Sequence, residues 1–398
     1  MPTIQTGLGI STEKHLLQAA QDAVHQAKTN LQNKKVDLAF VFSSIDLSNA
    51  GLLKTIGVYL EGAPVIGCSS TAIISHQGII KQGIAVLLLN FSEGIYFNTA
   101  CVKDVASKGT LNAGQELGEK LLYGFRDIRR DLSIIFLDGM MKEASNFING
   151  MQQRLGTSFP LVGASASDDL RFLKSNLHFN QDVFQDGACG VLFGGKINFG
   201  LGIKHGWQPL GKPRRVTSSR GNTVYEIDGM VASKLYEEYF SYSLNELKKE
   251  LKHISVLYPI GIYLAGEKEY LLRNILSIQD DGAIVFQGEV PENSEIRLMI
   301  GTKESALEAT RQAFKEAKNN LIGKTISFFL IFDSISRYIL LGRNAHQELE
   351  ILKNELDNQA IPIIGLYTYG EQAPLTAINY RGRAYFHNQT ITVLAIGG

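Results

Sequence analysis

The feature that most limits what this chain can fold into is an internal repeat that occurs three times. In the first copy Ser11 to Asn30 is polar overall but carries Leu16, Leu17, Ala20, Val24 and Ala27 at helical spacing. A near-continuous apolar run, Asp37-Leu-Ala-Phe-Val-Phe42, then reads as a strand buried on both faces. After a second helix comes Pro64-Val-Ile-Gly67, a short strand leading into Cys68-Ser69-Ser70-Thr71, and the copy closes with the strand Gly83 to Leu89. The second copy runs from the helix Leu111 to Tyr123 through Asp131 to Phe136, Pro160-Leu-Val-Gly163-Ala-Ser165 and Cys189 to Phe193. The third runs from the helix Glu304 to Asn320 through Ile326 to Phe332, Pro362-Ile-Ile-Gly365-Leu-Tyr367 and Ile391 to Ile396. Asp37 precedes Pro64 by 27 positions and Asp131 precedes Pro160 by 29, a spacing that chance does not maintain.

Helices alternating with short buried strands predict an α/β (or α+β) fold of repeated helix-strand-helix-strand units, with helices packed on sheets. The region from about 199 to 300 is different: turn residues punctuate alternating strand patterns around one short helix at Val231 to Phe240. With 398 residues two domains are expected, 1–240 with two repeat units and the Gly/Pro-rich start of this region, and 241–398 with its remaining strand-rich part and the third unit.

Composition narrows the function. Lys plus Arg and Asp plus Glu both number 39, so no overall positive field draws in a polyanion, and nucleic acid is not an expected partner. No apolar run approaches the roughly 20 residues of a membrane-crossing helix, and the start of the chain does not read as a signal peptide. Cys68, Cys101 and Cys189 are too few and too scattered for a disulfide framework or a metal site, which fits a cytoplasmic setting without direct membrane insertion.

Several strings, in this order and spacing, resemble the FIST family across nearly the whole chain: Val65-Ile-Gly67-Cys68-Ser69-Ser70, Leu161-Val-Gly163-Ala-Ser165-Ala-Ser-Asp168-Asp169, Gly206-Trp207-Gln-Pro209, Val224 to Gly229, Gly365-Leu-Tyr367-Thr368-Tyr369-Gly370-Glu371, and His387-Asn388-Gln-Thr390. The resemblance implies N-terminal and C-terminal FIST regions and a sensory domain for small ligands, amino acids among them. It also implies a separate signalling partner, such as a histidine kinase, a cyclase-type protein or a chemoreceptor. One string departs from the family pattern: a Cys-x-Gly-Arg-like motif is here Ser334-Ile-Ser336-Arg337, which keeps the arginine and loses the thiol.

In α/β sheets ligands favour the crevice beyond the carboxyl ends of strands, so the Gly-rich strand ends are the expected contacts. The candidates are Gly67, Cys68, Ser69, Ser70, Gly163, Ser165, Asp168, Asp169, Tyr367, Thr368, Tyr369 and Glu371. Arg273 and Arg337 are candidates for gripping a carboxylate, and an acidic side chain would suit an amino group. The bland reading is that the glycines serve turns and close packing while the hydroxyls satisfy backbone.

An enzyme would have to use Cys68, or the carboxylates Asp168, Asp169 and Glu371, but no nucleophile, base and orienting group form a recognisable set. No catalytic residue is assigned. No zinc motif or phosphate-binding loop is present, and no cofactor is expected. The alternative is haem, since the resemblance extends to proteins described as haem-dependent nitric-oxide sensors; His205 and His387 are its candidate ligands.

Overall fold

A computed structural model describes residues 3–356, 361–375 and 382–398. Each repeat is an α/β unit, and each opens with a strand ahead of its first helix: Ile4–Ser11, Tyr96–Lys103 and Asn198–Lys204. The helical periodicity that follows is the stronger sequence signal, which is why these strands escape the pattern reading and why Asn198–Lys204 is misplaced there in the strand-rich region. The units otherwise run as expected. In the first, helix Leu16–Asn30, strand Leu38–Ser43, helix Ala50–Gly57, strand Val65–Ser69 and closing strand Ile84–Phe91 follow in order.

Between the third strand and the closing strand of each unit lies a hairpin that leaves its own sheet. The first unit's hairpin (Ile73–Ser75, Gly78–Ile80) pairs with the third unit's strand Ile363–Thr368. The second unit's (Leu177–Phe179, Asp182–Phe184) pairs with Val65–Ser69 of the first, and the third unit's (Gly370–Pro374, Ala384–His387) with Leu161–Ser165 of the second. Three six-stranded sheets are thus each completed by a neighbour, in a closed cycle.

The second and third strands of every unit are parallel, with Val41 opposite Gly67, Ile135 opposite Gly163 and Ile331 opposite Gly365. A Cβ on Gly67 would lie 1.9 Å from the Val41 carbonyl oxygen, and one on Gly163 2.2 Å from that of Ile135. These glycines are therefore required for close strand packing. The inner sheet faces share one core in which Phe42 and Phe332 each meet Phe136, with ring centroids 5.5 and 5.9 Å apart. The outer faces are covered by the helices; Ala19, Ala20, Ala23, Val24 and Ala27 pack there on Ala39, Val41, Val86 and Leu88. Burial on both faces is the reason these strands read as unbroken apolar runs.

The strand-rich segment is an insertion between the third unit's first strand, which ends at Lys204, and its helix, which starts at Lys303. It forms its own sheet around Val224, Tyr236, Ile260 and Phe286. Gly211-Lys-Pro213, whose glycine and proline are residue types that suit a bend, is a bulge inside the strand Gln208–Arg220, where the pairing to Glu295–Ile300 shifts register. That pairing joins segments on the two sides of residue 240. Among the described residues no helix is long and apolar enough to cross a membrane.

Gly163→Ala is expected to cost about 1–3 kcal/mol, the usual penalty for overpacking, because the added methyl meets backbone rather than a movable side chain. Chemical denaturation checks this, and an unchanged stability would contradict the packing role.

Candidate ligand site

The three strand ends do meet, at one end of the shared core. They are sewn together by the Ser167 amide to the Ser69 carbonyl (3.1 Å), the Tyr369 amide to the Ser165 carbonyl (3.1 Å) and the Tyr367 amide to the Ala72 carbonyl (3.0 Å). The hydroxyls are spent in the same seal. Ser69 Oγ donates to the Ser167 carbonyl (2.8 Å), Ser70 Oγ to those of Ala72 (2.7 Å) and Tyr367 (3.0 Å), and Ser167 Oγ to that of Tyr367 (2.6 Å). Ser165 Oγ accepts from Gln372 Nε2 at 3.0 Å. All of these serines are buried.

Asp168 is also buried, and its carboxylate accepts backbone N–H groups from Arg171, Phe172, Leu173 and Lys174 at 2.9–3.3 Å, plus the Tyr369 hydroxyl. Burial alone would raise its pKa. The Tyr369 hydroxyl and the amides outweigh burial and hold the carboxyl below its ordinary range. Asp169 points outward and pairs with Arg171 at 3.1 Å.

Arg337 sits in a different buried cluster. Its Nε meets Asp333 at 2.7 Å, Nη1 meets the His205 carbonyl at 2.9 Å, and Nη2 meets Glu348 (2.6 Å), Thr310 (2.7 Å) and the Ala306 carbonyl (2.9 Å). Tyr367 closes the group by donating to Glu348 at 3.0 Å. Every guanidinium nitrogen is engaged, so Arg337 ties its own helix, Ile335–Leu341, to the strand carrying Asp333, the loop at His205 and two further helices. Nearby Glu371 is buried and accepts from Thr368 Oγ1 at 2.6 Å; burial pushes its carboxyl well above the ordinary range. Burial, then the charge of Glu348, does the same to Asp333.

Arg273 lies elsewhere, beside a cavity of about 190 Å³ between the second unit's helix Ala144–Leu155, the inserted sheet and the third unit's exchanged hairpin. Ile148, Asn149, Leu271, Glu289 and Tyr385 are among its walls. Arg273 is 3% exposed and forms no ion pair among the described residues; burial pulls its pKa down to about 10 against the opposing charge of Glu289. A second cavity, of about 240 Å³, is lined by Arg129, Asp131, Lys196 and Lys324, where Arg129 already pairs with Asp131 at 2.8 Å. No sequence signal separates Arg273 from Arg337, since burial and partners depend on which strands become neighbours.

The remaining candidates are occupied by the protein. The thiol of Cys68 is fully buried, which raises its pKa well above the ordinary value. His205 Nδ1 accepts from the Trp207 amide (2.9 Å) and its Nε2 lies 3.3 Å from Glu269, while His387 Nε2 donates to the Ala373 carbonyl (2.9 Å). Both rings are buried with those contacts in place. Trp207 is a packing anchor, with its indole N–H on the Val256 carbonyl (3.1 Å) and its ring against Gly301. No group of three or more metal-binding side chains occurs among the described residues.

Arg337→Met is expected to lower stability by about 3–5 kcal/mol, because it leaves Asp333 and Glu348 without their cation. Urea unfolding reads this directly. Glu371, with a raised folded-state pKa, binds its proton more tightly folded than unfolded, so its contribution declines as pH rises from the ordinary carboxylate range. Glu371→Gln should therefore gain stability relative to the parent at pH 8 but not at pH 4. An unfolding series across that range showing the same difference at both ends would contradict this.

Comparison with known proteins places these features. An uncharacterized protein of Methanocaldococcus jannaschii is 25% identical over 352 residues, covering 81% of this chain; the chain spans 66% of that relative's length. An uncharacterized protein of Mycobacterium tuberculosis is 23% identical over 387 residues, covering 94% of this chain and 96% of the relative. Among solved structures, a cyanuric acid hydrolase aligns over 99% of both chains at 7% identity and a TM-score of 0.35. The enzyme from A. caulinodans covers 49% of this chain and 71% of its own at 9% identity and a TM-score of 0.30. Both scores are too low to bear on this chain's fold or activity. The family model for the FIST N domain matches residues 37–230 and that for the FIST C domain matches residues 232–374, and the chain therefore belongs to the FIST family.

Proposed function

We propose that this chain is a cytoplasmic sensory module that binds a small polar ligand and passes its occupancy to a separate signalling protein. FIST domains are taken as sensory ligand-binding domains, which supports the general reading. The observation that carries it to a place is the 190 Å³ cavity, because its walls come from the FIST N region, the inserted sheet and the exchanged hairpin. A ligand there would touch three separately connected pieces of chain at once. Its differential affinity for two arrangements of those pieces is what a sensor requires.

Binding without turnover is favoured by the state of the reactive groups. Cys68 is buried and held as a thiol, Asp168 is caged by amides, and Glu371 is sealed beside Thr368. Of the residues expected to contact ligand, Arg273 is the one that lines this cavity. The strand-end serines would have to break their mutual hydrogen bonds to take part. The signalling partner belongs to the histidine kinase, cyclase or chemoreceptor class, as the family's usual context suggests.

A thermal-shift screen of amino acids and small metabolites, followed by calorimetry, tests the reading. A ligand at a hundred times its Kd should add about 2.7 kcal/mol of stability. Saturable binding with no product supports a sensor, whereas steady turnover of the bound compound would replace it with an enzyme.

A further inference from the structure

Among the described residues two arginines are deeply buried, and they are treated in opposite ways. Arg337 lies among carboxylates, with Asp333 at 2.7 Å and Glu348 at 2.6 Å. Arg273 is comparably buried but touches only neutral acceptors: Nε donates to the Glu289 carbonyl, and Nη1 donates to the carbonyls of Leu272 and Phe386, all at 2.9 Å. A guanidinium has five N–H groups, and these bonds use three. The two on Nη2 have no partner among the described residues, and the side chain borders the cavity.

A desolvated cation without an anion is costly, and the fold is shaped to keep it there. Gly288 has φ +115°, and a Cβ at that position would lie 2.9 Å from Nε and 3.1 Å from Cζ of Arg273. The guanidinium can therefore rest against backbone only because this residue is glycine. Its three carbonyl partners come from both the inserted sheet and the exchanged hairpin, which fixes its plane and leaves the Nη2 edge free. Arg383 lines the same cavity, held by Asn149 at 2.7 Å and lying over the Tyr385 ring at 5.7 Å. Against these two cations the cavity wall has, among the described residues, one carboxylate, Glu289, and no ion pair between it and Arg273 occurs there.

We infer that the cavity recognises a small organic acid through its carboxylate, with Nη2 of Arg273 as the buried donor and Arg383 as a second cation. This rests on the proposed sensory reading and adds the chemical class of the ligand. Glu289 supplies an acceptor for a hydrogen-bond donor elsewhere on the same molecule, such as an ammonium or hydroxyl group. The walls Ile148, Leu271 and Tyr385 leave room for a short carbon skeleton.

The deciding experiment compares acids with their neutral amides on the unaltered protein: L-alanine with alaninamide, succinate with succinamide, and lactate with lactamide, by calorimetry at fixed ionic strength. At least one acid should bind, with its amide at least about tenfold weaker, because the amide leaves the buried cation unneutralised. Arg273→Met should abolish that binding, and Arg383→Gln should weaken it several-fold with an unchanged melting temperature. Arg273→Met also strips three carbonyls of their donor; should it fail to fold, the acid-amide pairs and Arg383→Gln decide the matter. Equal affinity for acid and amide, retained affinity in a folded Arg273→Met protein, or binding of inorganic phosphate alone would overturn the carboxylate assignment and leave a sensor for another ligand. Silence towards charged and neutral compounds alike would instead remove the sensory reading on which the assignment rests.

Discussion

Everything in this structure depends on the cyclic exchange of hairpins. A sheet edge with unpaired N–H and C=O groups is a liability, and each unit covers its neighbour's edge with its own hairpin. No unit can therefore complete a six-stranded sheet alone. The exchange also dictates where chemistry can occur. It draws the strand ends at Ser69, Ser165 and Tyr367 into one place, and the same amides and hydroxyls that bring them together are used up in holding them. A position that is open in an ordinary doubly wound sheet is here closed by the neighbouring repeat.

The third unit differs from the other two by carrying an inserted sheet and a buried ionic cluster. The cluster replaces apolar packing with Arg337, Asp333, Glu348, Thr310 and Tyr367, and such a group is stabilising only while each member keeps its partners. It orients the helices around Arg337 with every guanidinium nitrogen engaged. The inserted sheet has the opposite consequence. By leaning against the second unit's helix and the exchanged hairpin it encloses a space that none of the three would form alone, and it lines that space with an unneutralised guanidinium.

Much of the fold was legible in the sequence because its strands are buried on both faces, and apolar continuity is a strong signal there. The strand ends at Gly67, Gly163 and Gly365 are legible for the same reason. What escaped was local signal masked by a stronger neighbour, as with the strand Ile4–Ser11 just before an amphipathic helix, or the bulged strand containing Gly211 and Pro213. The candidate site was legible in kind and mixed in detail. Serines, acids and arginines chosen for their chemistry divide into a sealed junction, a structural ion cluster and one cavity-facing cation, and residue type is identical on both sides of that division for Arg273 and Arg337.

By itself the sequence determined the three α/β units, their family and the residue types from which a polar ligand site can be built, because periodicity and spacing are properties of the chain alone. Tertiary structure decided which sheet each hairpin completes, that the strand-end hydroxyls face one another, and that Arg273 rather than Arg337 lacks a counter-charge. Those outcomes rest on burial and on partners contributed from distant segments: the Phe386 carbonyl reaches Arg273 across 113 residues, and that of His205 reaches Arg337 across 132. Proximity of that kind is created only when the chain closes on itself.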